Sequence, residues 1–112
     1  MPVFQGKLDP VSNREDWTYV VEIDDEDDNP VDLTDAAISI TIRDPRYRSV
    51  ALAGSTADGS ITVLDTGVFR IAFAAARLQP MRADTYEVGV VLVQNGVTVQ
   101  LVLGLLPIVD GI

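Results

Sequence analysis

The chain contains no cysteine and no histidine. The first absence rules out disulfides, thiolate metal sites and a cysteine nucleophile, and it fits assembly in a reducing cytoplasm. The second removes the commonest general base and the commonest transition-metal ligand. Basic residues are scarce as well. Eight lysines and arginines face seventeen acids, a formal net charge of −9 at pH 7. Such a chain repels phosphate backbones and anionic lipid surfaces, which argues against nucleic-acid and membrane partners. No apolar run approaches the length of about 20 residues that a bilayer-spanning helix needs. The opening MPVFQGKLDP has neither the basic segment nor the apolar stretch of a signal peptide, so a cytoplasmic site of synthesis is expected. No phosphate loop, dinucleotide fingerprint or nucleophile elbow occurs, and residues 54–59 carry glycine without the lysine and helix that a phosphate loop needs. The expectation is a non-enzymatic protein without a cofactor.

What the chain does have is apolar residues: 47 % of 112 positions. That length makes one domain, burying roughly two-thirds of its unfolded surface around a single core. The apolar excess suggests that a partner covers some surface too.

These residues alternate. Trp17, Tyr19, Val21 and Ile23 fall on one face of a strand, with Thr18, Val20 and Glu22 on the other. Ile38, Ile40 and Ile42 do the same against Ser39, Thr41 and Arg43. Residues 50–53 and 61–64 read as short strands, residues 68–74 as a strand with Phe69, Ile71 and Phe73 together, and residues 84–94 as a long strand. Asn95-Gly96 then separates it from residues 97–105, the sequence signature of a tight hairpin. Ala74-Ala75-Ala76-Arg77-Leu78 is the one stretch with helical character, and Pro80 limits it to a turn or so. Turns recur every eight to twelve residues, and no strand alternates with a full helix. The fold expected is an all-β, immunoglobulin-like antiparallel β-sandwich of about seven strands, with a small barrel as the competitor. Residues 1–15, with two prolines and a glycine, read as an extended arm or short edge strand, residues 16–106 as the sandwich, and residues 107–112 as a tail.

Three clusters stand out. Asp24, Glu26, Asp28, Asp32 and Asp35 fall at offsets 1, 3, 5, 9 and 12, the ligand offsets of a helix-loop-helix calcium site. Asn29 replaces the required glycine, Pro30 follows it and strands flank the loop, which favours a solvated turn whose charges deter aggregation. Carboxylates in such turns stay solvated, so they make a poor acid–base pair. Arg43, Arg46 and Arg48 surround Tyr47, a composition suited to an interface hot spot or to neutralising the acidic turn. Leu105, Leu106, Ile108 and Val109 form an apolar tail that either completes the last strand or docks on a neighbour; Pro107, which stops regular pairing, favours docking. Trp17 is read as a core anchor, with a sugar-stacking platform as the alternative.

The block from Trp17 through the acidic turn to Val31-Asp32-Leu33-Thr34-Asp35-Ala36 and Ile42-Arg43-Asp44 resembles a stretch, D-x-x-G-x-P-V-D-L-T-G-A, of small immunoglobulin-like domains in tailed bacteriophages and prophages. Ser60-Ile61-Thr62-Val63, Gly67-Val68-Phe69, Leu78 and Asp84-Thr85-Tyr86-Glu87-Val88 follow in similar order. The family resembled, over residues 16–106, is the N-terminal domain of phage baseplate upper proteins and related tail-fibre-associated proteins. This sequence departs from it at Asn29 and Asp35, where glycine is common. The resemblance implies a virion structural protein, made in the host cytoplasm and docked to tail, baseplate or fibre proteins. Lacking the larger receptor-binding part that such domains anchor, it is expected to serve as an adaptor or connector, as a homo-oligomer around the tail axis. The alternative reading is a carbohydrate- or protein-binding module of a bacterial surface protein.

Overall fold

The computed structural model describes residues 4–112, and in it the alternating stretches are strands. In chain order they are β1 (Phe4–Lys7), β2 (Val11–Ser12), β3 (Trp17–Glu22), β4 (Ala37–Arg43), β5 (Val50–Ser55), β6 (Ile61–Asp65) and β7 (Val68–Phe73). A four-residue helix, α1 (Ala75–Leu78), precedes β8 (Asp84–Gln94) and β9 (Val97–Val109). The larger sheet runs β1-β9-β8-β4-β5, with β2 also on β9; the smaller runs β3-β7-β6. The protein is all-β and built of two sheets. No pairing among the described residues joins one sheet to the other, so they do not close into a single barrel.

The period of two decides which side chains meet between the sheets. Ile38, Ile40 and Ile42 of β4 and Tyr86, Val88, Val90 and Leu92 of β8 are buried against Trp17, Phe69, Ile71 and Phe73 of the smaller sheet. Leu78 of α1 plugs this cluster, and the carboxylate of Asp16 accepts from Ala75 N–H at 2.7 Å, which together hold a helix of one turn whose own N-cap residue, Ala74, supplies no capping side chain. Trp17 is 7 % exposed and lies flat between Tyr19 and Phe73, with ring centroids 6.1 and 6.2 Å away. It is a core anchor and offers no stacking platform.

The long hairpin of β8 and β9 carries one irregularity. Val90 pairs with Val102 but Val91 pairs with Gln100, so Leu101 is an extra residue and both it and Val102 turn inward. The amide of Gln100 answers the disrupted ladder by donating to the carbonyls of Val90 and Val102, at 3.1 and 2.7 Å. At the tip, Asn95 and Gly96 both take positive φ, as the Asn-Gly signal requires.

Two boundaries differ from the sequence reading. The segment read as an extended arm or short edge strand supplies two short edge strands, β1 and β2, which pair with β9 in parallel, so the larger sheet is mixed rather than purely antiparallel; residues 1–3 of that segment lie outside the described residues. The last strand also continues past residue 106, through Pro107, to Val109. Pro107 is tolerated because β1 pairs only as far as Leu105 and β2 begins at Ile108. The missing N–H falls in the gap between them.

The turns follow local hydrogen bonding. In the acidic turn, the Asp25 carboxylate accepts from the N–H groups of Asp27 and Asn29, at 2.9 and 3.0 Å. Asp28, not Asn29, is its left-handed residue, and Asp35 is left-handed in the next turn. Aspartate tolerates that region better than most side chains. Gly67, at φ +70°, joins the turn between β6 and β7 to the acidic segment: its carbonyl accepts from Ile23 N–H at 2.7 Å.

Candidate interaction surface

The outer face of the larger sheet is built in rows by strand register. Lys7, Leu105, Glu87 and Arg43 lie side by side across β1, β9, β8 and β4. Two residues further along, Gly89, Thr41 and Ala53 make the next row, and Val91 with Ser39 and Ser55 the one after. Small residues in the middle, with Gly89 contributing no side chain, leave an open groove of about 730 Å³. Thr41, Gly89, Val91 and Leu105 form its largely apolar part, and Lys7 and the Arg43–Glu87 pair its charged border. That pair is bidentate, at 3.1 and 3.2 Å. The Arg43 hydrogen bond, helped by the charges of Arg43 and Arg48, holds the Glu87 carboxyl below its ordinary value.

At the charged end of this face, the loop between β4 and β5 is held from below. Asp44 is buried and accepts from the N–H groups of Arg46 and Tyr47, at 2.8 and 3.4 Å. Both its oxygens also meet the Arg82 guanidinium, which reaches Asp84 as well at 2.7 Å. The hydrogen bond from Arg82 brings the Asp44 carboxyl down to about 2 and raises the arginine in return. Arg82 lies over the rings of Tyr47 and Tyr86, 5.6 and 5.9 Å from their centroids. With its underside fixed, the loop presents Tyr47, 69 % exposed, between Arg46 and Arg48. Among the described residues neither arginine forms an ion pair.

The sequence-derived candidates separate accordingly. Arg43 borders the groove, and Arg46, Tyr47 and Arg48 make the loop. Leu105 and Val109 are half-exposed, at 44 and 46 %. Leu106 and Ile108 are not surface residues: they point inward on alternate positions of β9 and are 0 and 2 % exposed. The tail completes the last strand rather than waiting for a neighbour. Its end packs on its own chain, where buried Asn13 donates to Met81 and Asp110 and accepts from Gly111 N–H at 3.0 Å.

The calcium candidates do not converge. Asp24 pairs by its backbone with Pro30, and the Asp32 carboxylate is engaged by both the N–H and the hydroxyl of Thr34. Asp32 and Asp35 line a second groove, of about 590 Å³, beside β6. Among the described residues no three or more acids gather into a group able to hold a metal ion. The turn is shaped by its own N–H groups, with Asp25, outside the proposed ligand set, doing most of the capping.

Arg82, Asp44 and Asp84 were missed by sequence reading. Asp44-Pro45 signals a turn, but its partner stands 38 residues further on, and only strand pairing brings them together. No family model matches the chain, and a search of curated proteins returns no match.

Proposed function

We propose that this is a non-enzymatic structural protein of a tailed-bacteriophage or prophage particle, a tail, baseplate or fibre adaptor that works through protein–protein contacts. The observation that carries the reading is the outer face of the larger sheet: a shallow, largely apolar groove beside a rigidly held Arg-Tyr-Arg loop. With the loop backbone fixed by Asp44 and the Tyr47 ring against Arg82, less order has to be imposed on docking, which is one way interface hot spots gain affinity.

An immunoglobulin-like arrangement is part of the same proposal. It is supported by the strand order, in which β3, β7 and β6 correspond to B, E and D, while β4, β5, β8 and β9 correspond to C, C′, F and G. Tyr86 supports it further. It stands near the start of β8 and donates to a backbone carbonyl four residues upstream, at 2.9 Å, the geometry of a tyrosine corner. The phage-like landmarks also fall on turns with a structural duty, at Asp25, Asp35 and Gly67.

Mass spectrometry of purified particles tests the function. Peptides of this chain at a fixed ratio to known tail proteins are expected. Their absence from intact particles would end the proposal.

A further inference from the structure

Formal charge is divided unequally along the molecule. The molecule is 44 Å long and 22 Å across, and β9, thirteen residues, spans about 40 Å at roughly 3.3 Å per residue. At the end where β4 and β9 begin, residues 22–35 hold eight carboxylates and no lysine or arginine. The Asp65-Thr66-Gly67 turn is fastened to this segment through Ile23 and adds a ninth. Gln94, beside the hairpin tip, clamps it by donating to the carbonyls of Asp32 and Thr34, both at 2.9 Å. Nine negative charges at one end equal the whole formal net charge of −9.

At the opposite end, where β4 finishes, the loop of residues 44–49 has a single acid, Asp44, and that one is buried and taken up by Arg82. The tip of this loop shows a partner Arg46, the Tyr47 ring and Arg48, while two carboxylates at the same end, Asp84 and Asp110, are engaged by Arg82 and Asn13.

From this opposition we infer that copies of the chain associate end to end, the acidic segment around residues 24–28 of one copy seating on the Arg46–Tyr47–Arg48 loop of the next. The inference rests on the reading that the protein works through protein contacts, and it names a second copy as one partner. Two acidic ends repel, which disfavours a contact of that end with itself, and an end-to-end contact between unlike ends is heterologous. A heterologous contact leaves each copy with one unused end, so it closes a ring or builds a filament. Because the charges are exposed, the association is strong only at low ionic strength. Screening reaches about 30 Å at 0.01 M salt and about 3 Å at 1 M.

Sedimentation velocity on the full chain, with two variants, tests this. One variant, Arg46→Ser with Arg48→Asn, blunts the basic loop; Asn suits the positive φ at position 48. The other, Asp24→Asn, Glu26→Gln, Asp27→Asn and Asp28→Asn, blunts the acidic end and keeps the capping Asp25. The wild type is expected to gain mass with concentration at low salt and to return to a single chain near 1 M salt. Each variant alone is expected to stay a single chain, and a mixture of the two to form a one-to-one dimer and nothing larger, since each supplies the end the other lacks. A wild type that stays monomeric at low salt, association that survives in either variant, or a mixture that fails to pair would overturn the inference. Monomeric protein that is nevertheless present in particles would sink the end-to-end contact and leave the virion reading intact. Salt-sensitive association by a chain absent from particles would do the reverse.

Discussion

The phenol of Tyr86 donates to the carbonyl of Arg82, 2.9 Å away, and so ties the start of β8 to the connector that follows α1. The ring itself is buried, and desolvation raises the pKa of the phenol. Tyr86→Phe keeps the packing and removes one hydrogen bond. A loss of about 1 kcal/mol is expected, with an unchanged denaturant slope, because the fold and the buried area stay the same. Urea unfolding checks this, and a change of slope would mean that the hydroxyl shapes the fold itself.

Arg82 makes stability depend on acid. Its hydrogen bond holds folded Asp44 at about 2, against 3.8 when free. A carboxyl depressed by folding stabilises the native state above its unfolded value, and that stability drains away as pH falls from near 4 through 2. Glu87, lowered by Arg43, acts in the same direction. Thermal melts from pH 7 to pH 2 are expected to show a plateau and then a decline. Asp44→Asn is expected to start lower on the plateau and to decline less steeply, with Tm values converging on the wild type near pH 2.

Gly67 is expected to be intolerant of any side chain. Its φ of +70° is strained for other residues, and an added Cβ would stand 2.7 Å from the Ile23 carbonyl oxygen and 3.1 Å from the Val31 nitrogen. Both are backbone atoms with little room to yield. Gly67→Ala is expected to cost more than about 1 kcal/mol, measured by chemical denaturation. Gly96→Ala makes a useful comparison: its φ is +76° but its surroundings are open, so only the cost of backbone strain is incurred, without a clash.

Most of the strand content could be read from side-chain alternation, because a half-buried strand writes its period directly into the sequence. Ile38, Ile40 and Ile42 illustrate this, as does the hairpin at Asn95-Gly96. Features that rest on pairing between distant segments left no such mark. Phe4–Lys7 does not announce that it will lie parallel to β9, and Pro107 looks like a terminator until its place between two partner strands is known. The surface was legible in part. Tyr47 and its arginines were visible as a composition, whereas Asp44, Arg82 and Asp84 become a unit only through the packing of β4 against β8. Leu106 and Ile108 misled because a run of apolar residues does not say which of them point inward.

Gly89 offers a way to close the groove without disturbing the core. A Cβ there would meet only the Gln100 amide, at 3.4 Å, which is close to ordinary contact. Gly89→Leu is expected to leave stability unchanged within about 0.5 kcal/mol, as for other surface substitutions, while filling the hollow between Thr41 and Leu105. Particles assembled with this variant are expected to carry less of the chain, by quantitative mass spectrometry, than those assembled with Gly89→Ala.

Electron cryomicroscopy of intact particles addresses the central claim most directly. The expected map places this two-sheet domain with the Gly89 groove and the Tyr47 loop buried against neighbouring subunits. A map in which that face looks out on solvent while the domain is held by other surfaces would contradict it.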